Sequence, residues 1–215
     1  LVEDRMKKLP EEINYLEARA KNPPTEEDPL RNVLLQEISR YNSVLAVVKS
    51  TFVELIAGLK GQTLISEAME IVFQNISDNK VPERFKFAYL SVKPLISWLD
   101  DLTLRFDQMR NWAFKGTPLT FWLGGFAYPT GFTTALKQKA FRSIKDKNTS
   151  VDNFKWDFAF IKSDVQAPAP VGAYITDIYL EGAQWTADDF ITEEHSMSLY
   201  SKIPTLQMKP VEKVS

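Results

Sequence analysis

Phe154-Lys-Trp-Asp-Phe-Ala-Phe-Ile161 carries an aromatic ring at every even position and Lys, Asp, Ala or Ile at every odd one. A period of two marks an extended strand, because successive side chains point to opposite faces. Phe154, Trp156, Phe158 and Phe160 therefore share one face, and a face so apolar is expected to be covered. Before this stretch the apolar spacing is helical, and after it the strand pattern continues. The fold class that follows is α+β, with helices first and an antiparallel sheet second.

Immediately upstream, the spacing predicts a helix over about residues 130–145, with Phe132, Leu136, Ala140 and Ile144 on one face and Lys137, Lys139, Arg142 and Lys145 largely elsewhere. It is introduced by Phe121-Trp-Leu-Gly-Gly-Phe-Ala-Tyr-Pro-Thr-Gly-Phe132, which looks like a strand running into a glycine turn. The stretch has neither GxxxxGK[ST] nor GxGxxG, and Phe126, Ala127, Tyr128 and Pro129 deny a phosphate close access to the backbone. It reads as a joint: Gly124 and Gly125 let the strand turn, Pro129 starts the helix and the aromatics wedge the corner.

Further upstream, Leu34, Ile38, Tyr41, Leu45, Val48, Phe52, Leu55 and Leu59 recur at alternating spacings of four and three, a helix of roughly 42 Å over residues 32–59. Leu35, Val44, Val47, Val53 and Ile56 widen the stripe beyond a two-stranded seam, which favours a bundle core over a coiled coil. Gly58 and Gly61 close it. A second run places Leu64, Met69, Val72, Phe73 and Ile76 on one side, and Asn75 to Lys80 makes a turn. A third helix has Pro94 in its first turn and Leu95, Trp98, Leu99, Leu102, Phe106, Met109 and Trp112 at helical spacing. Residues 1–31, rich in charge and proline, read as a connector.

Downstream of residue 161, Ala173 to Leu180 forms a second strand, with shorter ones at Ser198–Tyr200 and Thr205–Met208. Pro168, Pro170, Pro204 and Pro210 punctuate the region as blocks on strand edges.

Composition narrows the function. The 215 residues carry 26 Lys+Arg and 28 Asp+Glu, a net charge of −2, so no global field draws nucleic acid or an anionic membrane. Cysteine is absent from the sequence, which removes thiolate nucleophiles, disulfides and cysteine-ligated metals. No apolar run approaches the ~20 residues that span a bilayer, and the first residues are neither a signal peptide nor an initiator methionine. The sequence reads as a soluble piece of something longer.

The catalytic search is short. His195, beside Glu193 and Glu194, has no HExxH spacing, and a solvated acidic loop is favoured over a zinc or proton-transfer site. No GxSxG elbow or SxxK is present. Asp101 and Arg105, four apart on a helix, form an ion pair rather than an acid–base couple. The basic run Lys137 to Lys147 reads as a solvated face more readily than as a docking surface. Asn148-Thr149-Ser150 matches a glycosylation sequon without other signs of secretion.

Several separated segments, in order, resemble one family. Val33-Leu-Leu-Gln-Glu-Ile-Ser-Arg-Tyr-Asn42 resembles a VLxQExxRxN opening, through Gln36, Glu37, Arg40 and Asn42. Val81-Pro82 with Phe85 is similar to VPxxW, and Ala88 to Trp98 to AYPSLKPLxSW with Leu90 for proline. Asp101-Leu102 and Arg105 fit DLxxR. The 121–132 stretch resembles FWxSGFFFPQGF through Trp122, Gly125, Pro129 and Gly131, with Gly124 for serine and Ala127 for an aromatic. Tyr174 to Trp185 resembles YxxGLFLEGAxW through Glu181, Gly182 and Trp185, and Leu206 to Pro210 a closing LKP. The family is the C-terminal region of dynein heavy chains, particularly axonemal or flagellar ones.

The resemblance covers about residues 32–210 and implies a cap on the ring of six AAA+ modules in a motor. Residues 1–31 would be a connector or the tail of the last module, 32–147 the helical half of the cap, and 148–215 an incomplete antiparallel β-barrel or sheet. It implies no catalytic, cofactor or metal residue in this region, while the parent chain would be a microtubule-stimulated ATPase using ATP and Mg. Implied partners are the AAA+ ring of the same heavy chain, indirectly microtubules, and other dynein or axonemal subunits, with no nucleic acid and no membrane. The implied location is the cytoplasm and cytoskeleton, in a cilium or flagellum axoneme. Regulation of ATP-driven motility is the expected function; a docking platform for axonemal proteins and an independent metal-dependent enzyme are the alternatives. The family continues past its LKP region with a further strand-rich segment, whereas this sequence stops at Ser215, so the barrel is expected to lack strands and expose an edge.

Overall fold

The computed structural model describes residues 2–143, 150–186, 188, 191–193 and 199–212. The order is helices α1 (Val2–Lys7), α2 (Tyr15–Lys21), α3 (Leu30–Leu59), α4 (Glu67–Ser77), α5 (Leu95–Lys115), strand β1 (Phe121–Trp122) and helix α6 (Pro129–Ser143). Strands β2 (Phe154–Ile161), β3 (Ala173–Thr176), β4 (Tyr179–Glu181), β5 (Ala183–Trp185), β6 (Ile191–Glu193), β7 (Tyr200–Lys202) and β8 (Thr205–Glu212) follow. The fold is α+β. Its contacts group the residues into two compact units, Leu1–Asn22 with Leu34–Phe114, and Pro23–Val33 with Lys115–Ser215.

In the first unit the alternating stripe of α3 faces inward: Leu34, Ile38, Tyr41, Leu45, Val48, Phe52 and Leu55 are buried. Leu59, the last position of the expected stripe, is exposed, because the helix ends there. Gln62 donates to Ala57 O and Gly61 to Gly58 O, with Gly61 at φ +70°, the double bond pattern that closes a helix through a left-handed residue. Asn79 (φ +56°) closes α4 the same way, through Lys80 N to Asn75 O and its own N–H to Ile76 O. Asn79 then starts α5, accepting from Leu95 N at its carbonyl and from Ile96 N at its side chain. One asparagine thus fixes the turn expected at Asn75 to Lys80. Met69, Val72 and Ile76 of α4 are buried, whereas Leu64 and Phe73 are exposed, correcting their expected place on the inner face.

By length and hydropathy α3 is one helix that could cross a membrane, contrary to the expectation that no run is long enough. Its apolar stripe is instead the core of the helical unit, as a bundle helix requires.

In the second unit a four-stranded sheet runs β1-β3-β8-β2, with two smaller pairs, β4-β7 and β5-β6. Pairing is antiparallel except β1 with β3, which is parallel (Phe121 opposite Ile175), so the sheet is mixed rather than wholly antiparallel. The expected strand over residues 173–180 is two strands, broken at Asp177, whose φ of +56° cannot continue an extended run. β8 is longer than expected and includes Pro210, opposite Trp156. β3 pairs only with Leu206 to Met208 of β8, so the proline falls where no neighbour on that side asks for an N–H.

Phe154 is buried against Phe141, and Trp156 lies beneath Lys137, whose Nζ is 5.2 Å from the ring centre. Phe158 and Phe160 are 55% and 46% exposed, so the aromatic face is only partly covered, with Trp185 against Phe160. That corrects the expectation of a wholly covered face: α6 reaches just the first half of the strand.

Candidate functional site

The joint at residues 121–132 folds as β1, a 3-10 turn over Leu123–Gly125, and α6. Phe121, Phe126 and Phe132 converge, with Phe132 4.9 Å from Phe121 and 4.5 Å from Phe126 between ring centres. Gly124 has no left-handed φ, and a Cβ there would sit 3.0 Å from Trp122 Nε1, a tight contact that a small shift of the indole would relieve. At Gly131 a Cβ would come within 2.7 Å of Tyr128 Cδ1. Gly125 is buried, while Trp122 and Pro129 are half-buried. The stretch is a packed corner.

The densest constellation lies in the helical unit, around Asp101 and Arg105. Both lie on α5, one turn apart, with side chains 3% and 9% exposed, and Arg105 Nε donates to Asp101 Oδ2 at 2.9 Å. Lys93 donates to the other carboxylate oxygen at 2.7 Å. Arg105 Nη1 reaches Tyr41 Oη on α3 at 3.2 Å, and its guanidinium lies 4.1 Å from the centre of the Tyr89 ring. Beyond Tyr89 the planes continue as a column: Tyr89 stacks on Trp98 at 5.5 Å and 12°, and Trp98 on Phe85 at 5.8 Å and 19°. Phe52 of α3 meets Phe85 edge-on at 6.3 Å. A planar cation at the end of an aromatic stack, desolvated and with its fork filled, is a strong local anchor, about 2 kcal/mol for the cation–ring contact alone.

Burial pushes the Tyr41 and Tyr89 hydroxyls above the ordinary tyrosine value, the nearby Arg105 charge only partly opposing it. Burial also works against the Arg105 charge, but Tyr41 and Asp101 outweigh it and its pKa is raised. The carboxylate is held by two cations and the tyrosines are held neutral. Chemically the cluster joins α3, α5 and the segment between α4 and α5.

The other residues singled out from sequence divide between the two units. Glu37 is fully buried and accepts from Arg40 at 3.0 Å; Gln36 is exposed. Asn42 grips the backbone of Ile13 from both sides, donating to its O at 2.8 Å and accepting from its N at 3.1 Å, so the polar N-terminal segment is tied to α3 as one strand is tied to another. In the second unit, Glu181 is exposed, and Gly182 (φ +67°) turns β4 into β5. Trp185 lies 4.5 Å from Phe160 between ring centres, tilted by 50°, and donates its backbone N–H to Ser201 Oγ at 3.0 Å. Of the fourteen, Trp98, Asp101 and Arg105 come together in one cluster. Tyr41, Tyr89 and Lys93 belong to it but carried no signal of the contact: Tyr41 is 64 positions from Arg105, and its place in an apolar stripe hid its hydroxyl.

The basic face of α6 is largely engaged within its own unit. Lys139 pairs with Asp28 at 3.0 Å, Arg142 donates to Glu26 O, and Lys137 caps Trp156. Lys145 and Lys147, the Asn148 sequon and His195 lie outside the described residues. Among the described residues no group of three or more His, Cys, Asp or Glu could hold a metal ion.

The fold is α+β in two compact units, with a buried ion-pair and aromatic cluster in the helical one. The family described as the C-terminal domain of dynein heavy chains matches residues 1–215, and this protein belongs to it. It is 36% identical to human dynein axonemal heavy chain 2 over 99% of its own length. Against the dynein-1-beta heavy chain of the flagellar inner arm I1 complex of Chlamydomonas reinhardtii it is 34% identical over 97%, and against human dynein axonemal heavy chain 1 it is 35% identical over 94%. It spans about 5% of the length of each.

Proposed function

We propose that this domain is a non-catalytic cap of a dynein motor: it packs on the AAA+ modules of its own heavy chain and regulates ATP-driven movement along microtubules in a cilium or flagellum. Residues 1–31 would lead from the last module, 32–147 would be the helical half of the cap and 148–215 its strand half. ATP and Mg would be used by the ring, not by this region. The observation that carries the reading is similarity to axonemal dynein heavy chains along the whole sequence. The buried Asp101–Arg105–Tyr41 cluster supports it, because its charges are committed to joining α3 to α5.

The decisive experiment deletes residues 148–215 from the whole motor and compares gliding velocity, stall force and ATP turnover with nucleotide binding. Altered motility with intact nucleotide binding is expected. Unchanged motility would end the proposal.

A further inference from the structure

Thr25-Glu-Glu-Asp28 leads into α3, and no other serine or threonine in the sequence is followed by three acids. Acids at the positions after a hydroxyl are the charge pattern that a kinase with a basic substrate groove selects. Pro23, Pro24, Glu26 and Glu27 are exposed and Thr25 is half-buried, so the stretch is presented at the surface. The Thr25 hydroxyl oxygen accepts from Asp28 N at 3.2 Å. That bond uses the oxygen as an acceptor, a role that phosphate oxygens can take over.

Two guanidiniums bracket Thr25 along the chain. Arg31 Nη1 donates to Pro23 O at 3.1 Å, two residues before it, and Arg142 of α6 donates to Glu26 O, one residue after it. Asp28 is held by Lys139 of α6 at 3.0 Å and by Arg31 at 3.6 Å. All of these residues belong to one compact unit. The acid closest to the packed structure is therefore already neutralised, and Glu26 and Glu27 lie in water, where their repulsion is screened by salt.

We propose that Thr25 is a phosphorylation site for an acid-directed protein kinase, and that its phosphate clamps this loop between Arg31 and Arg142. In the transfer the Thr25 oxygen attacks the γ-phosphorus of ATP. The new O–P bond replaces the bond to the β,γ-bridging oxygen, ADP leaves, and the hydroxyl proton passes to the kinase's base. The ester brings about −1.5 to −2 of charge and three acceptor oxygens to a point flanked by two planar cations. Guanidinium and phosphate pair through two parallel hydrogen bonds, a stronger contact than the single bonds these arginines now make to uncharged carbonyls.

The test uses the full heavy chain that carries these residues, folded, with ATP, Mg and an acid-directed serine/threonine kinase. Mass spectrometry should find phosphate on Thr25, and Glu26→Gln together with Glu27→Gln should slow its appearance about tenfold. In the phosphorylated chain the amides of residues 25–28 should exchange hydrogen about fivefold more slowly than in the unmodified chain. That difference, taken within each variant, should shrink in Arg31→Gln and in Arg142→Gln and vanish when both are replaced. Arginines that merely hold the loop would alter the starting rate and leave the difference intact, which would overturn the clamp. Phosphate reaching Thr25 only after unfolding in urea, an equal rate in the glutamine variant, or the same exchange with and without phosphate would also overturn the proposal. Neither readout involves motility, so each outcome is independent of the domain's role in a motor.

Discussion

The aromatic column of the helical unit and the rings on β2, β4 and β7 of the strand unit are buried to opposite degrees. In the helical unit Phe52, Phe85 and Trp98 are almost fully buried and Tyr89 nearly so, and the stack ends on a buried guanidinium. In the strand unit Phe158, Phe160, Tyr179 and Tyr200 are about half exposed. Helices can surround a ring on every side, whereas a sheet leaves its second face bare unless another layer covers it. The aromatic column of the helical unit is therefore closed off from water, whereas the outer rings of the strand unit are not.

The contrast can be broken first at Trp98. Trp98→Ala removes the centre of the aromatic column and should destabilise the helical unit by about 3–5 kcal/mol, measured by urea unfolding followed by fluorescence or circular dichroism. A loss below about 1 kcal/mol would mean that the column does not hold the unit. Asp101→Ala leaves Arg105 buried beside an empty position and should cost about 3 kcal/mol, whereas replacing both by apolar residues of similar volume should recover most of it. If single and double replacements cost the same, the charges are not coupled.

In the strand unit, Gly172 has φ +81°, and a Cβ there would meet Met208 O at 2.0 Å. Gly172→Ala should lower stability by about 2 kcal/mol through strain on the β3–β8 pairing, while leaving the helical unit's transition in place. A loss spread over both transitions would show that the units do not unfold separately.

Alkaline titration gives a smaller, directional test. Tyr41 and Tyr89 keep their protons in the fold to higher pH than in the unfolded state, where they ionise near the ordinary value of 10.0. The unfolded state then binds fewer protons, so their contribution is intact below pH 10 and stability falls as pH rises above it. Tyr41→Phe should flatten that fall; an unchanged slope would remove Tyr41 from the account. Smallest of all, Phe158→Ser should change the stability of the isolated domain by less than about 0.5 kcal/mol, because half its ring is already in water. A larger loss would show that the face of β2 is closed within the unit after all.

The sequence alone determined the α3 stripe, the α5 stripe, the joint before α6 and the strand period at Phe154 to Ile161. Each is a local repeat, and local repeats follow from the geometry of one element. The Asp101–Arg105 spacing likewise announced an ion pair, but not that Lys93 and Tyr41 would complete it, nor that Tyr89 would stack between Arg105 and Trp98. Whether Phe158 is covered, where β8 lies in the sheet order and that β1 pairs in parallel were decided only in three dimensions. These properties depend on which distant segment comes to lie alongside, and a period of two or of 3.6 records the face a residue shares, not the neighbour that face will meet.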